Sequence, residues 1–289
     1  MTVRRERSGV CRRARGVLPT MLGLAATPAA AQPPVIDPPV RLTYAVYAGG
    51  LEALRLQTRV RVAGGRYDIR VRATTTGWVA SLFPFVLKGR AHGAAVPGGL
   101  RPERFVTANR WRDSQGRWVR VRYTGAMPTP GATAVPPPAA DGRAPVPPIH
   151  RRGTRDPISA IYGFLLTGDT PCGGARSIFD GRRHYTLRAD AVGDATIAGD
   201  SYSVFSGRAR VCRVRLAKGG GFWRDPDRRG QYPDTVRVWL GAPTEALPPL
   251  PVRMAAETRL GGLRVHLTGV ARGGELPDDG LLPPPDTPK

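Results

Sequence analysis

The chain has 289 residues, 41% of them apolar and 23% charged, and a formal charge of +22. That is enough apolar material for the core of one large domain or two small ones. A charge this positive prompts a nucleic-acid reading, but only Lys88, Lys218 and Lys289 are lysines, and an arginine excess in an Ala-, Gly-, Pro- and Val-rich chain resembles coding bias more than selection for phosphate contacts; no nucleic-acid partner is expected.

The chain begins with Arg4, Arg5, Arg7, Arg12, Arg13 and Arg15 against Glu6, then an apolar run from Val17 to Ala26. Ala29 and Ala31 satisfy the small-x-small rule for cleavage before Gln32. This is the pattern of a secretory signal peptide over residues 1–31, and it predicts a periplasmic protein. The run falls short of the ~20 residues that span a bilayer, and no other segment is a transmembrane candidate. Cys11 precedes the run and is no lipid-attachment site. Removing the signal lowers the net charge from +22 to +17, because it carries six arginines and one glutamate. For an exported protein the expected counter-charge is an anionic envelope component or lipid.

Residues 32–40 form a Pro-rich leader, and residues 41–273 read as a single β-rich domain. Leu54, Leu56, Thr58, Val60 and Val62 alternate with Arg55, Gln57, Arg59 and Arg61, and after Gly64-Gly65 the residues Tyr67, Ile69 and Val71 alternate with Asp68, Arg70 and Arg72. A period of two marks half-buried strands, and a two-residue glycine turn makes them a hairpin. That turn sets Val62 opposite Tyr67, Val60 opposite Ile69 and Thr58 opposite Val71. It also opposes Arg59 and Arg70, which is unfavourable unless the pair is solvated or an anion lies between them.

Trp78, Phe83 and Phe85 follow in a run to Leu87 that Pro84 interrupts; it reads as a short helix or an apolar loop, and its aromatic cluster as the lip of a ligand cavity, with core packing as the simpler reading. Strands are expected at 105–111 and 117–123. Residues 126–150 hold eight prolines and read as a flexible linker or long loop. In Asp156-Pro157-Ile158 a cap and a first-turn proline open a helix that Gly168 can close, with Ile158, Ile161, Tyr162 and Leu165 on one apolar stripe. Later strands are expected at 184–190, 202–205, 209–216, 235–241, 250–256 and 263–270. The tail from 274 to 289 reads as disordered. The expected class is all-β with minor α: a strongly curved antiparallel sheet or half-barrel with one covering helix.

With Cys11 removed, Cys172 and Cys212 remain. In an oxidising compartment one disulfide is the expectation, with two free thiols as the alternative. His92, His150, His184 and His266 show no metal-ligand spacing, and no cofactor is expected. No catalytic motif is present. Asp225, Asp227 and His184 are the candidates for chemistry on envelope polymers, with a surface charge cluster and a solvent-facing strand histidine as the simpler readings; His266 likewise reads as solvent-facing.

The stretches Leu42-Thr43-Tyr44-Ala45-Val46-Tyr47, Asp156–Tyr162, Phe179-Asp180-Gly181-Arg182-Arg183-His184-Tyr185 and Leu250-Pro251-Val252-Arg253 together resemble the exported bacterial proteins grouped as domain of unknown function 3108. The resemblance covers about residues 40–270 and implies a periplasmic β-protein, similar to lipoprotein-carrier half-barrels, with no catalytic residues to carry across. It leads to a non-enzymatic binder of an envelope lipid, glycolipid or lipoprotein moiety, with Trp78, Phe83, Phe85, Ile161 and Tyr162 against the apolar part and Arg59 and Arg70 at an anionic head. A docking module for another envelope protein is the alternative, and an enzyme is third.

Overall fold

The computed structural model describes residues 1–2, 33–112, 116–125, 129–166, 172–225, 232–258, 261–278 and 280–283. The expected signal peptide lies outside them except for its first two residues, as do Gly168 and Asp227.

The chain forms one 13-stranded antiparallel sheet. Its strands are β1 (Ile36–Ala48), β2 (Leu51–Ala63), β3 (Arg66–Thr75), β4 (Phe85–Val96), β5 (Gly99–Trp111), β6 (Arg117–Arg122) and β7 (Gly131–Val135), then β8 (Gly174–Phe179), β9 (His184–Ile197), β10 (Gly207–Gly220), β11 (Thr235–Gly241), β12 (Leu250–Thr258) and β13 (Gly261–Arg272). Two helices interrupt them, α1 (Gly77–Leu82) and α2 (Pro157–Leu165). The spatial order runs from β7 down to β1, then from β13 down to β8. Two meanders are therefore joined through the β1–β13 pair, which unites the first and last strands of the domain. All-β with minor α is the class observed.

The β2–β3 register is the one the glycine turn dictates, with Val62 opposite Tyr67, Val60 opposite Ile69 and Arg59 opposite Arg70. Because side chains alternate faces along a strand, each strand sends one set of residues to the concave side. There Leu42, Tyr44, Val60, Ile69, Phe105, Val121, Leu240, Leu250 and Leu267 join one continuous core that reaches across both meanders.

Helix α2 lies within this curve. Asp156 caps it, accepting from the Ser159 backbone N–H at 2.9 Å, and Pro157 fills the first-turn position where no N–H is needed. The helix is not a one-sided cover. Ile158, Ser159, Ala160, Tyr162, Gly163, Phe164 and Leu165 are all buried, and Ile161, expected on the apolar stripe, is 44% exposed. Tyr162 donates to the Thr58 hydroxyl at 3.0 Å and packs in the core, so it is a structural residue and not a ligand contact. Gly89 of β4 permits the close approach: a Cβ there would come within 3.1 Å of the Ile158 side chain.

Other expectations change. The run after Trp78 is helix α1 followed by β4, so its second half is strand. The leader contributes residues 36–40 to β1. The Pro-rich stretch 126–150 is not a plain linker; it contains β7 and two single 3-10 turns at Ala139–Asp141 and Pro148–His150. Residues 202–205 form a loop, not a strand, because their backbone bonds to Leu267 instead of to a neighbouring ladder. His266 is buried and not solvent-facing. Glu275 and Asp278 of the tail, expected to be disordered, are held on the convex face. Glu275 pairs with Arg59 at 2.8 Å and Arg70 at 2.6 Å, and Asp278 with Lys88 at 3.1 Å.

Cys172 and Cys212 are joined as a disulfide with Cα atoms 5.4 Å apart, which ties the segment before β8 to the middle of β10. Among the described residues, no helix is long and apolar enough to cross a membrane.

Candidate ligand cavity

The two ends of the sheet, β7 and β8, are not neighbours in the ladder, and side chains close the seam between them. Arg182, in the β8–β9 turn, donates to the carbonyls of Pro136 at 2.7 Å and Val135 at 2.9 Å. Gly181 (φ +86°) presses that turn onto β6: a Cβ there would fall 2.0 Å from Val119 Cγ1. No larger residue fits.

A cavity of about 450 Å³ opens on the concave side of this seam, at the N-terminal end of α2. Its floor follows from strand register. Val71, Gly89, Thr107 and Val119 lie side by side on β3 to β6, and Leu87, Asn109 and Arg117 form the next row toward the rim. Polarity therefore rises along the strands, from the buried Phe105 to Thr107, Asn109 and Arg117. Pro157 and Ile158 of α2 supply an apolar side, and Arg143, Asp180, Arg182, Arg183, Trp223 and Tyr232 complete the wall.

The cations are fixed in place. Asp141, itself nearly buried, binds Arg117, accepts from Arg143 Nε at 2.8 Å and lies 3.7 Å from Arg182. Arg143 stacks over Trp223, with its guanidinium carbon 3.7 Å from the ring centre. Asp180 accepts from the Arg182 and Arg183 backbone N–H groups at 3.0 and 2.7 Å and from Arg183 Nε at 2.7 Å. Burial works against the Asp141 carboxylate, but hydrogen bonds from Arg117 and Arg143 hold its pKa below the usual range. Burial, then the charge of Arg117, pushes the Arg182 pKa down. Arg117, Arg143, Arg182 and Arg183 face two carboxylates, so the wall keeps an excess of positive charge.

Trp78 lies in α1, Phe83 follows that helix, and Phe85 begins β4. Phe85 and Trp111 pair across β4 and β5 on the same face as Leu87 and Asn109, with ring centres 5.5 Å apart. Phe83 lies 6.3 Å from Trp111, and Trp78 is 57% exposed. Arg59 and Arg70 lie on the convex face, where Glu275 occupies the space between them, so the chain supplies its own anion and the pair is not an open ligand site. His184 bonds Ser177 Oγ at 2.9 Å and stacks on His150. Asp225 is exposed in the connection after β10. The arginines of the cavity wall were not singled out as site residues from the sequence. For Arg182 and Arg183 the signal was the stretch Phe179-Asp180-Gly181-Arg182-Arg183, which carries the family resemblance; Arg117 and Arg143 had none.

The arrangement is that of a rolled antiparallel sheet with a buried helix and a basic cavity at one end. Residues 43–268 match the family described as protein of unknown function (DUF3108), and the chain belongs to that family. No curated protein matches it. Among solved structures it is similar to a β-barrel-like protein of domain of unknown function DUF1849 from Brucella abortus, at 10% identity and a TM-score of 0.44, over 83% of this chain and 98% of that one.

Proposed function

We propose that this is an exported, non-enzymatic protein of the periplasm that binds an anionic amphiphile from the cell envelope. The observation that carries the reading is the cavity: an apolar floor of Val71, Leu87, Phe105, Val119 and Ile158 beneath a wall of four fixed arginines. Its volume falls in the ordinary range for small-ligand sites, which combine apolar walls with a few placed polar groups. An anionic head relieves the crowding of like charges around Arg182, and Asp141 and Asp180 hold the guanidinium groups ready for it. The ligand inserts at this end, with Phe85 and Trp111 in the row beyond Leu87 and Asn109 beside its entry. The secretory pattern of residues 1–31 agrees with an envelope ligand.

Native mass spectrometry of the protein purified from its own periplasm tests this. The expected result is a co-purifying acidic lipid or glycolipid that is lost on Asn109→Phe, a change that fills the cavity mouth. A ligand-free protein, or a bound neutral species, contradicts the reading.

A further inference from the structure

The convex face carries a second hollow, of about 510 Å³, over β1 and β11 to β13. Register places Arg237, Ala255, Arg264 and Tyr47 side by side on four neighbouring strands, with Trp239, Arg253 and His266 in the next row. Ala255 leaves the floor open. The loop 198–206 stands over one side. It is pinned: Phe205 is buried against Gly241, the Val204 N–H and the Ser203 hydroxyl donate to the Leu267 carbonyl at 2.9 and 3.1 Å, and the Tyr202 N–H donates to Asp200 at 2.9 Å.

On this fixed loop Tyr202 is 55% exposed. Its ring packs edge-on to Tyr47 at 5.6 Å and lies 5.8 Å from His266. His266 is 8% exposed, and among the described residues its Nδ1 has no hydrogen-bond partner. Asp200 holds Arg253 at 3.0 Å, and Arg237 lies over the Trp239 ring at 5.7 Å.

A rigid exposed aromatic loses little freedom on binding, and Tyr202, on its pinned loop, is such a ring beside the hollow. An exposed aromatic ring beside a neutral imidazole suits the mixed C–H and hydroxyl surface of a sugar ring; burial, then the Arg253 charge, lowers the His266 pKa and favours that neutral form. Among the residues that line the hollow, Arg237, Arg253 and Arg264 outnumber Asp200; outside the lining, Glu257 pairs with Arg264 at 3.2 Å and Glu52 lies opposite Tyr47. We propose that this hollow binds a saccharide unit bearing a carboxylate, a uronic acid, through Tyr47, Tyr202, Trp239, His266 and the three arginines.

Isothermal titration of the full chain with a glucuronic acid–N-acetylglucosamine disaccharide tests it, with cellobiose and inorganic phosphate alongside. The acidic disaccharide is expected to bind at least about tenfold more tightly than cellobiose, a difference of about 1.4 kcal/mol. Tyr202→Ala and Arg253→Gln are each expected to weaken it about tenfold, and Tyr202→Ala to leave the Tm unchanged. Equal affinity for cellobiose, binding of phosphate in its place, no binding at all, or affinity indifferent to Tyr202→Ala overturns the proposal. The concave cavity also presents fixed arginines to an anion, so each titration is repeated on Asn109→Phe, which fills that cavity's mouth, and only binding that survives this change is assigned to the convex hollow; loss of all binding in Asn109→Phe overturns the proposal and leaves the concave reading standing.

Discussion

The opposed Arg59 and Arg70 show how a local conflict in a sequence points to a distant partner. Two cations facing each other across a hairpin need an intervening anion, and hairpin register alone places them together. The anion is Glu275, which the sequence could not supply, because a tail reaching back across more than two hundred residues leaves no local pattern. Asp68 repeats the arrangement between Arg70 and Arg90. Since Glu275 is largely exposed, Glu275→Gln is expected to cost less than about 1 kcal/mol. Urea unfolding of both forms should show the difference shrinking in 1 M salt, where screening is strong. A second residue-scale prediction concerns Asp156, a fully buried cap whose pKa burial raises to about 6, against the pull of hydrogen bonds from Ser159. A raised carboxyl pKa means the folded state binds the proton more tightly. This group's contribution is therefore full below about pH 4 and is lost as pH rises through about 6. Relative to Asp156→Asn, which keeps the cap and cannot ionise, the wild type should lose up to about 3 kcal/mol between those limits, measured by denaturant titration across the pH range.

Elements with short-range signals were legible in advance. The glycine turn fixed the β2–β3 register residue by residue, and the Asp156-Pro157 start of α2 was visible in its capping chemistry. What was illegible depended on contacts from elsewhere. A nine-residue helix with a plain apolar stripe reads as a surface cover, but α2 is surrounded by the sheet, so even Ser159 and Gly163 are buried. Likewise β7 hides in a Pro-rich stretch, since an edge strand tolerates a weak pattern when a neighbour such as β6 supplies the pairing. The Cys172–Cys212 disulfide was legible by cysteine count and compartment, although it joins two elements that local pattern cannot connect. Cys212→Ser is expected to lower stability by about 3–4 kcal/mol, a fall in Tm of about 10 °C in a thermal melt. Gly181→Ala is expected to cost at least about 2 kcal/mol, because both the positive φ and the contact with Val119 oppose a side chain.

At the scale of the whole molecule, the sheet is continuous through β1–β13 and is closed at β7 and β8 by side chains instead of a ladder. A laddered barrel has no seam, whereas here Gly181 and Arg182 seal the gap, and Arg182 also lies in the cavity wall. The class of fold was legible because strand periodicity recurs along the chain. The cavity was not, because its residues come from β3 to β6, α2 and two distant turns, and only their meeting creates it. The central claim is that this meeting point holds an anionic amphiphile. NMR titration of isotope-labelled protein with a short-chain acidic amphiphile, below its micelle concentration, tests it most directly. Shifts confined to Thr107, Asn109, the Trp223 indole and the Arg182–Arg183 turn, and absent with a zwitterionic analogue, are the predicted result. Shifts restricted to the convex face, or equal with both amphiphiles, would contradict it.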